Sequence, residues 1–367
     1  MTLRVAKLTK YGPLAAATRQ RFDQYDTALT DLDCETVAWP LLEDTYLKRL
    51  YSGVGHAHGY LAIRYVDRLR QLVRQQEIDL LWVQYELFPF LPSVAERAVR
   101  LAGVPVVYDF DDAIFHNYDL NRRAAVRAIL GRKLNAAIGA SDCVFAGNEY
   151  LAAYARPHCR DVQIVPTVLD TAVYKPISPS TTAADNVPVI GWIGTPSTWS
   201  EYLSPMQAML ASVSKQRRAK ILAIGAARDA EADPTVELRP WREEAEVSDI
   251  QEMDIGIMPL TDTPWARGKC GYKLIQYMAC GLPVIASPVG VNSEIVEHGV
   301  NGFLASNEVE WREALDALLT DPNLRARMGA AGRKKVEDQY SLQVWGPRVA
   351  QMLRDVAVTH SKKRRGD

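Results

Sequence analysis

Two hydrophobic patterns alternate along most of this chain. Short, mostly apolar runs predict buried strands, and longer stretches with apolar residues three or four apart predict helices. The strand-like runs are residues 3–8, 34–39, 79–84, 104–108, 144–146, 162–166, 188–193, 220–225, 254–260 and 282–286. The clearest helical stretches are residues 61–75, 121–134, 311–319, 324–329 and 344–358. Strands that alternate with helices in this way predict an α/β protein built on parallel sheets.

The alternation divides into two halves of similar size. Residues 175–186 are rich in Pro, Ser and Thr, which is typical of a linker. A length of 367 residues also suits two domains better than one. We therefore expect two Rossmann-like domains, residues 1–174 and 187–343, that face each other across a cleft.

Composition narrows the class of protein. The chain is 48% hydrophobic and 24% charged with a net charge of −1, so no global charge attracts nucleic acid. Its five cysteines form no C-x-x-C pair and no metal-ligand spacing, which favours a reducing compartment and no metal site. The charged N-terminus lacks the apolar core of a signal peptide, and no apolar run approaches the roughly 20 residues of a membrane span. We expect a cytoplasmic protein.

Residues 267–290 join a glycine-flanked turn, a short helix and a buried strand. The N-terminus of a helix exposes unpaired N–H groups and the positive end of the helix dipole, so it can hold an anion. Lys273 and Gln276 are three residues apart and share one helix face. The segment therefore suits a phosphate group with a polar group attached. An ordinary helix–strand unit with a surface lysine explains the spacing equally well.

The same segment carries a family resemblance. Residues 273–290 read KLIQYMACGLPVIASPVG, and Glu294 and residues 299–304 (GVNGFL) follow. This extended pattern resembles the C-terminal signature of family 4 glycosyltransferases, which are retaining enzymes of the GT-B fold. One departure stands out, because the family usually has two glutamates eight residues apart where this chain has Gly268 and Gln276. In that fold the last helix, here predicted over residues 344–358, commonly crosses back to the first domain.

The resemblance implies a donor site in the second domain. Many family members carry an arginine and a lysine after the first strand of that domain, which this chain lacks, so we expect Lys273 to neutralise the donor diphosphate. Trp241 lies where the family recognises the base, and a core tryptophan is an equally good interpretation. Gln276 replaces the glutamate that usually binds ribose. The predicted donor-binding residues are Gly194, Thr195, Ser197, Trp241, Lys269, Gly271, Tyr272 and Gln276.

The first domain is expected to hold the acceptor. Asp109, Asp111 and Asp112 follow a predicted strand, where clustered carboxylates can bind hydroxyls and raise one another's pKa. A helix N-cap cluster is an equal alternative. Gly12 and Arg19 follow the first strand and are assigned to the acceptor side. The resemblance favours a functional loop at Gly12 over a plain turn. Arg19 and Arg21 could point into the same cleft or equally be solvated surface charges. We assign Lys273, Asp111 and Asp112 as catalytic residues.

Basic residues gather on two predicted helices, residues 61–75 and 121–134. Anionic lipid attracts such charges by about 1 kcal/mol for each basic side chain near the surface. A peripheral contact with the inner face of a membrane would suit a lipid-linked acceptor. A solvated helix face is the simpler alternative.

Together these features predict transfer of a sugar from a nucleoside-diphosphate sugar to a glycan or lipid-linked acceptor. Family analogy suggests bacterial surface polysaccharide synthesis, with no cofactor beyond the substrates. Two alternatives remain open. One is a nucleotide-sugar 2-epimerase of the same fold. The other is a catalytically degenerate glycosyltransferase that serves as a binding partner, which the missing glutamates motivate.

Overall fold

The computed structural model describes residues 2–52, 59–74, 77–177, 187–227 and 230–365. The chain divides into two compact units. The first unit comprises Met1–Thr167, Gly268–Cys270 and Trp345–Asp367, and the second comprises Val168–Arg267 and Gly271–Val344. Most of the predicted linker, residues 178–186, lies outside the described residues.

The first unit is built on a parallel six-stranded sheet in the order β2-β1-β3-β4-β5-β6. Its strands are β1 (Leu3–Leu8), β2 (Cys34–Ala38), β3 (Leu80–Gln84), β4 (Val106–Phe110), β5 (Cys143–Ala146) and β6 (Val162–Ile164). Every residue of β3 and β4 is buried, as expected of strands covered on both faces. The strand order reverses between β1 and β3, so the carboxyl ends of these strands flank a topological switch point.

Helices cover both faces of this sheet. They are α1 (Ala16–Arg21), α2 (Asp26–Asp31), α3 (Asp44–Tyr51), α4 (Tyr60–Arg74), α5 (Ser93–Glu96), α6 (His116–Asp119), α7 (Ala124–Leu130), α8 (Lys133–Ile138) and α9 (Glu149–Ala155). The prediction of one helix over residues 121–134 is wrong, because α7 ends before Gly131 and α8 begins at Lys133. Lys133 is also buried, with its Nζ 2.6 Å from Glu86 Oε2 and 3.2 Å from Glu96 Oε1. It therefore does not belong to a basic surface.

The second unit repeats the scheme with a parallel sheet in the order β12-β11-β10-β7-β8-β9. Its strands are β7 (Val189–Ile193), β8 (Lys220–Ile224), β9 (Val236–Arg239), β10 (Ile255–Met258), β11 (Val284–Ala286) and β12 (Gly302–Leu304). The strand order reverses between β7 and β10. Ligands of open α/β sheets bind beyond the carboxyl ends of strands at such a reversal.

The helices of the second unit are α10 (Pro196–Thr198), α11 (Gln207–Arg217), α12 (Glu246–Gln251), α13 (Pro264–Arg267), α14 (Tyr272–Ala279), α15 (Asn292–Ile295), α16 (Glu308–Thr320) and α17 (Pro322–Gln339). The last helix, α18 (Leu342–Arg365), groups with the first unit from Trp345 onwards. There the Arg354 guanidinium donates a hydrogen bond to the carbonyl of Leu32. The C-terminal helix thus packs on the first unit, as the family resemblance implies.

The predicted α/β class with two parallel sheets is confirmed, and each of the ten predicted strands is present. The sequence pattern missed β9 and β12 at the two edges of the second sheet. β9 reads VELR and β12 reads GFL, and neither is a continuous apolar run. The helix predicted over residues 324–329 is present, but its predicted extent is too short, because α17 has 18 residues. A Cβ at Gly329 would lie 1.9 Å from the carbonyl oxygen of Gly281, just after α14, and a Cβ at Gly332 would lie 2.9 Å from Met278 Cγ on α14. Close packing thus favours glycine at both positions, and the periodic apolar signal is lost there.

Candidate active site

The turn after β7 lies at the carboxyl end of that strand, where the strand order of the second sheet reverses. Thr195 caps α10, where its hydroxyl accepts from the Thr198 N–H at 3.4 Å while the Thr198 hydroxyl accepts from the Thr195 N–H at 2.9 Å. The Ser197 hydroxyl lies 3.0 Å from that of Thr195, and both residues are exposed. Two predicted donor-site hydroxyls are therefore adjacent at the carboxyl end of a central strand.

Trp192 brings this turn and Lys273 together. The Lys273 Nζ lies 4.5 Å from the centre of the Trp192 ring, which is a cation–π distance. The same ring lies under Gly194, where an added Cβ would be 2.3 Å from Trp192 Cζ2. A partly exposed cation therefore stands beside the predicted phosphate-binding turn. Arg267, the last residue of α13, forms a two-bond ion pair with Asp262 at the surface.

Helix α14 is fixed to β7 by Tyr277, whose buried hydroxyl accepts the Ile193 N–H at 2.9 Å. Gly271 precedes α14 in the left-handed conformation with φ of 68°, and no side chain caps the helix. A Cβ at Gly271 would be 2.4 Å from Ile295 Cδ1 on α15, and the left-handed backbone itself favours glycine here. Tyr272 is partly exposed at the first position of the helix. The first N–H groups of a helix have no partner within it, which suits an anion there.

Gln276 points into a polar cluster inside the second unit. The side chain is 3% exposed, and its amide donates to Glu246 Oε1 at 2.8 Å and to the Tyr174 hydroxyl at 3.3 Å. The Trp241 indole N–H donates to the other oxygen of Glu246 at 2.6 Å. Trp241 is 38% exposed, so the alternative of a core tryptophan is wrong.

Gly268 has no space for a side chain. A Cβ there would lie 2.4 Å from the Cβ of Ala113 and 3.0 Å from its nitrogen. The buried Asn148 amide holds this segment in place by donating to the carbonyls of Gly268 and Lys269, each at 3.1 Å. The absence of the first motif glutamate therefore follows from close packing within the first unit, with which Lys269 also groups.

The aspartate cluster of the first unit contains a buried ion pair. Arg21 Nε donates to Asp109 Oδ1 at 2.5 Å, and both side chains are 1% exposed. The Trp82 indole donates to the other oxygen of Asp109 at 3.1 Å. Burial raises the pKa of Asp109 to about 6, although Arg21 opposes the shift. Asp109 lies within β4, so the helix N-cap alternative does not hold for this residue.

Asp111 and Asp112 follow the end of β4. The Tyr85 hydroxyl donates to Asp111, and Tyr85 adopts a left-handed backbone with φ of 58°, which is strained for a non-glycine residue. Burial raises the pKa of Asp111, although Arg21 and the Tyr85 hydroxyl oppose the shift. Burial and the neighbouring Asp111 raise the pKa of Asp112 to about 7, with Lys269 opposing. Asp112 is partly exposed, so it is the member that solvent reaches more readily.

Several buried donors next to this cluster have no hydrogen-bond partner among the described residues. They are both Nη atoms of Arg21 and the Nε2 of Gln84, which lies opposite Asp109 in the sheet register. Each unpaired buried polar group costs about 1–3 kcal/mol. A hydroxyl-rich ligand or water would supply the missing acceptors.

Gly12 and Arg19 lie in the loop after β1. A Cβ at Gly12 would be 2.4 Å from Asp44 Oδ1, so the glycine allows a close approach of α3. Arg19 donates to the carbonyls of Pro13 and Leu14 at 2.7 and 2.9 Å and so fixes the loop. Their contact with an acceptor stays a prediction.

Sequence reasoning missed three residues that organise these sites: Tyr174, Trp192 and Glu246. The signal for Trp192 was its position two residues before the Gly194 turn. Glu246 stands in the acidic run Glu243 to Glu246, which looks like a solvated surface segment. For Arg21 the alternative of a solvated surface charge is wrong, because its side chain is 1% exposed and pairs with Asp109.

The described residues contain no group of three or more His, Cys, Asp or Glu side chains placed to hold a metal ion. No helix in the same part of the chain is both long enough and apolar enough to cross a bilayer.

Family models match both halves of the chain. The model described as "Glycosyl transferase 4-like domain" matches residues 9–167, and the one described as "Glycosyl transferases group 1" matches residues 187–321. The GDP-mannose-dependent monoacylated alpha-(1-6)-phosphatidylinositol monomannoside mannosyltransferase of Corynebacterium glutamicum is 38% identical over 84 residues. These residues are 23% of this chain and 22% of that protein. The chain thus matches about a fifth of the length of this curated relative.

Solved structures share the whole fold at low sequence identity. Anabaena HepE in complex with UDP and glucose has a TM-score of 0.69 and 16% identity, covering 96% of this chain and 99% of that one. Sucrose-phosphate synthase from Thermosynechococcus elongatus has a TM-score of 0.70 and 14% identity, covering 97% and 100%. With two parallel sheets and a glycosyltransferase domain match in each half, the chain belongs to the glycosyltransferases of the GT-B fold.

Proposed function

We propose that this chain is a retaining glycosyltransferase that moves a sugar from a nucleoside-diphosphate sugar to a glycan or lipid-linked acceptor. The observation that carries the proposal is the arrangement around Trp192, whose ring lies next to both Lys273 and Gly194 at the switch point of the second sheet. The bond from the anomeric carbon to the diphosphate oxygen breaks, and a bond to the acceptor oxygen forms. The acceptor proton leaves with the diphosphate, and no cofactor beyond the two substrates is needed.

The second unit binds the donor in this proposal. The leaving diphosphate gains negative charge in the transition state, and fixed donors stabilise that charge best. Lys273 supplies a positive charge, and the hydroxyls of Thr195 and Ser197 supply neutral hydrogen bonds. The N–H groups of Gly271 and Tyr272 add the N-terminus of α14. Trp241, whose exposed ring is fixed by its N–H, stacks on the base.

The first unit binds the acceptor, with Asp111 and Asp112 as the catalytic carboxylates. A carboxylate that accepts a hydrogen bond from the reacting hydroxyl aligns its oxygen for attack. Asp109 holds Arg21 beneath this pair and acts as a positioning residue. Gly12, Arg19 and Lys269 remain proposed contacts of the substrates.

The substitution Asp112→Asn tests the acceptor site through the pH dependence of turnover. Because Asp112 has a pKa near 7, wild-type turnover should rise with pH between about 6 and 8 as this carboxyl ionises. Asp112→Asn should lower kcat at least about tenfold and abolish that rise. Asp355→Asn on the exposed face of α18 is the matched control, and it should leave kcat and the rise of turnover with pH unchanged. A variant that keeps the wild-type pH profile would exclude Asp112 from the reaction.

A lipid-linked acceptor and bacterial surface polysaccharide assembly are the proposed setting. The name of the Corynebacterium relative specifies a lipid-anchored mannoside as its acceptor. This chain would then work in the cytoplasm at the inner face of an anionic membrane, with no nucleic-acid partner. Exposed arginines and apolar side chains of the first unit support that location.

These side chains lie on α4, on α7 and in the segments that flank α7. On α4, Ile63 and Val73 are 62% and 60% exposed, and on α7 Ile129 is 66% exposed. The exposed arginines of the predicted basic helices are Arg70, Arg74, Arg122, Arg123, Arg127 and Arg132. Arg68 was included in that face by prediction, but it is buried and donates to the Thr9 carbonyl at 3.1 Å.

Vesicle sedimentation tests the membrane contact. Replacing Arg122, Arg123 and Arg127 together by glutamine should weaken binding to phosphatidylglycerol vesicles at least tenfold, since each arginine contributes about 1 kcal/mol. Wild-type binding should fall as salt rises. The charge-matched control is a triple glutamine variant of Lys215, Arg218 and Lys220 in the second unit. Equal binding by both triple variants would refute the assignment of this surface.

Calorimetric titration with UDP, GDP, ADP, CMP and dTDP tests the donor site itself. We expect tight binding of one nucleotide, which also narrows the list of donor sugars. If none binds, the donor site is wrong.

The missing glutamates favour a second candidate, a degenerate glycosyltransferase that acts as a binding partner. Gly268 cannot present a side chain, and the Gln276 amide is already bonded inside the protein. This candidate predicts nucleotide binding without turnover of any donor. A nucleotide-sugar 2-epimerase instead predicts conversion of the donor with no acceptor present.

A further inference from the structure

Glu246 is held by three side chains from different segments of the second unit. Trp241 Nε1 donates to its Oε2 at 2.6 Å, and Gln276 Nε2 donates to its Oε1 at 2.8 Å. The Tyr174 hydroxyl donates to the same Oε1. Glu246 is the first residue of α12 and remains partly exposed. A glutamate on a solvated surface needs no such support, so this arrangement calls for an explanation.

The three bonds fix the carboxylate before any ligand arrives. A carboxylate has about four acceptor positions, and three are occupied here. One position therefore remains on a side chain that solvent reaches. A side chain fixed in advance loses little conformational entropy on binding, so a further hydrogen bond to it contributes more to affinity. The group best suited to that position is a hydroxyl, because an anion would be repelled.

The cluster stands at the carboxyl edge of the second sheet. Trp241 follows β9, and its Cβ lies 3.4 Å from the position of a Cβ on Gly225, the residue after β8. That Gly225 position is also 2.1 Å from the carbonyl oxygen of Gly194. The exposed indole and its carboxylate thus adjoin the turn where the diphosphate is proposed to bind. Rossmann-like sheets commonly hold the ribose of a nucleotide through a carboxylate at this edge.

We propose that Glu246 binds a ribose hydroxyl of the donor nucleotide, with the base stacked on Trp241. This inference rests on the proposed donor site. Gln276 is 3% exposed and gives its amide to Glu246, so it acts as a positioning residue and not as the ribose ligand. The carboxylate that the family motif places on α14 is supplied in this chain by α12. The substitution at position 276 is then compensated and does not mark a degenerate site.

The test compares ribonucleotides with their 2′-deoxy and 3′-deoxy counterparts by calorimetric titration of the full chain. The probes are UDP, GDP and ADP with the matching deoxynucleoside diphosphates. In the wild type, removal of one hydroxyl should weaken binding at least fivefold. In Glu246→Gln, removal of the same ribose hydroxyl should weaken binding less than twofold. The glutamine that would face this hydroxyl carries no charge, so less binding energy is lost with it. Gln276→Ala should reduce the loss of affinity as well, since it releases one support of Glu246.

Glu244→Gln is the matched control, because Glu244 is an exposed carboxylate two residues away. Glu244→Gln should keep the full wild-type loss of affinity on removal of a ribose hydroxyl. If Glu246→Gln has a lowered melting temperature, the test uses Glu246→Asp instead. Aspartate is one methylene shorter, so its carboxylate lies farther from the ribose. The loss of affinity for deoxynucleotides should therefore also be smaller in this variant. An equal loss of affinity in wild type and Glu246→Gln on removal of a ribose hydroxyl overturns this inference alone. Failure of every nucleotide to bind the wild type overturns the donor site and this inference together.

Discussion

Lys273→Met is expected to weaken binding of the preferred nucleoside diphosphate by ten- to hundredfold. Methionine keeps an unbranched side chain against Trp192 but removes the charge that stands beside residues 194–197. A charge-assisted hydrogen bond to phosphate is about twice as strong as a neutral one, and tenfold in affinity corresponds to about 1.4 kcal/mol. The matching nucleoside without phosphates should bind both proteins equally. Calorimetric titration at two salt concentrations should also show a smaller salt dependence in the variant.

Lys334→Met is the control for this prediction. Lys334 lies on α17 of the same unit, is exposed, and pairs with Asp338 at 2.9 Å. Its replacement should leave nucleotide affinity within a factor of two. If Lys273→Met also stays within that factor, Lys273 does not bind the diphosphate, and the site around Trp192 needs another explanation.

Arg21→Met is expected to lower the free energy of unfolding of the first unit by about 3–5 kcal/mol. The substitution removes the partner of Asp109 and leaves a carboxylate that is 1% exposed without its counter-charge. The loss should be smaller at pH 5 than at pH 8, because the unpaired Asp109 can then take up a proton. Urea unfolding followed by circular dichroism and tryptophan fluorescence measures the effect, since the buried Trp82 is bonded to the same carboxylate.

Two variants make this result specific. Arg19→Met removes a neighbouring arginine whose bonds are to the carbonyls of an exposed loop, and it should cost less than about 1 kcal/mol. Adding Asp109→Leu to Arg21→Met should recover part of the stability, because the unpaired charge is then gone. Equal losses for Arg19→Met and Arg21→Met would show that the buried pair is not a principal support of this unit.

Much of the fold could be predicted because its central strands are buried on both faces. Their continuous apolar runs, such as β3 and β4, need no tertiary information to be recognised. The edge strands β9 and β12 are short and mixed, so only their pairing with a neighbour identifies them. The extent of α17 was hidden for a related reason. Its Gly329 packs against the backbone of Gly281, just after α14, and its Gly332 packs against Met278 of α14. The sequence pattern reports neither contact.

The candidate site was predictable where chemistry follows a motif and not where it depends on packing. Lys273 was found from its place at the start of a helix in a recognisable segment. Glu246 was not found, because its importance arises from contact with Gln276, 30 residues away along the chain. Gly268 illustrates the same limit, since its lack of a side chain is explained by Ala113 and not by any neighbour in sequence.

The central claim is turnover by a site that lacks both motif glutamates. It is tested most directly by incubating the full chain with a panel of UDP, GDP and ADP sugars and a bacterial lipid extract as acceptor. Phosphorus and proton NMR would follow release of the nucleoside diphosphate and the configuration of the new glycosidic bond. We predict that one donor is consumed only when acceptor is present, that the anomeric configuration is retained, and that Lys273→Met reduces the rate at least tenfold. Tight nucleotide binding without turnover of any donor would contradict the account and identify the chain as a binding partner, whereas conversion of a donor without acceptor would identify an epimerase.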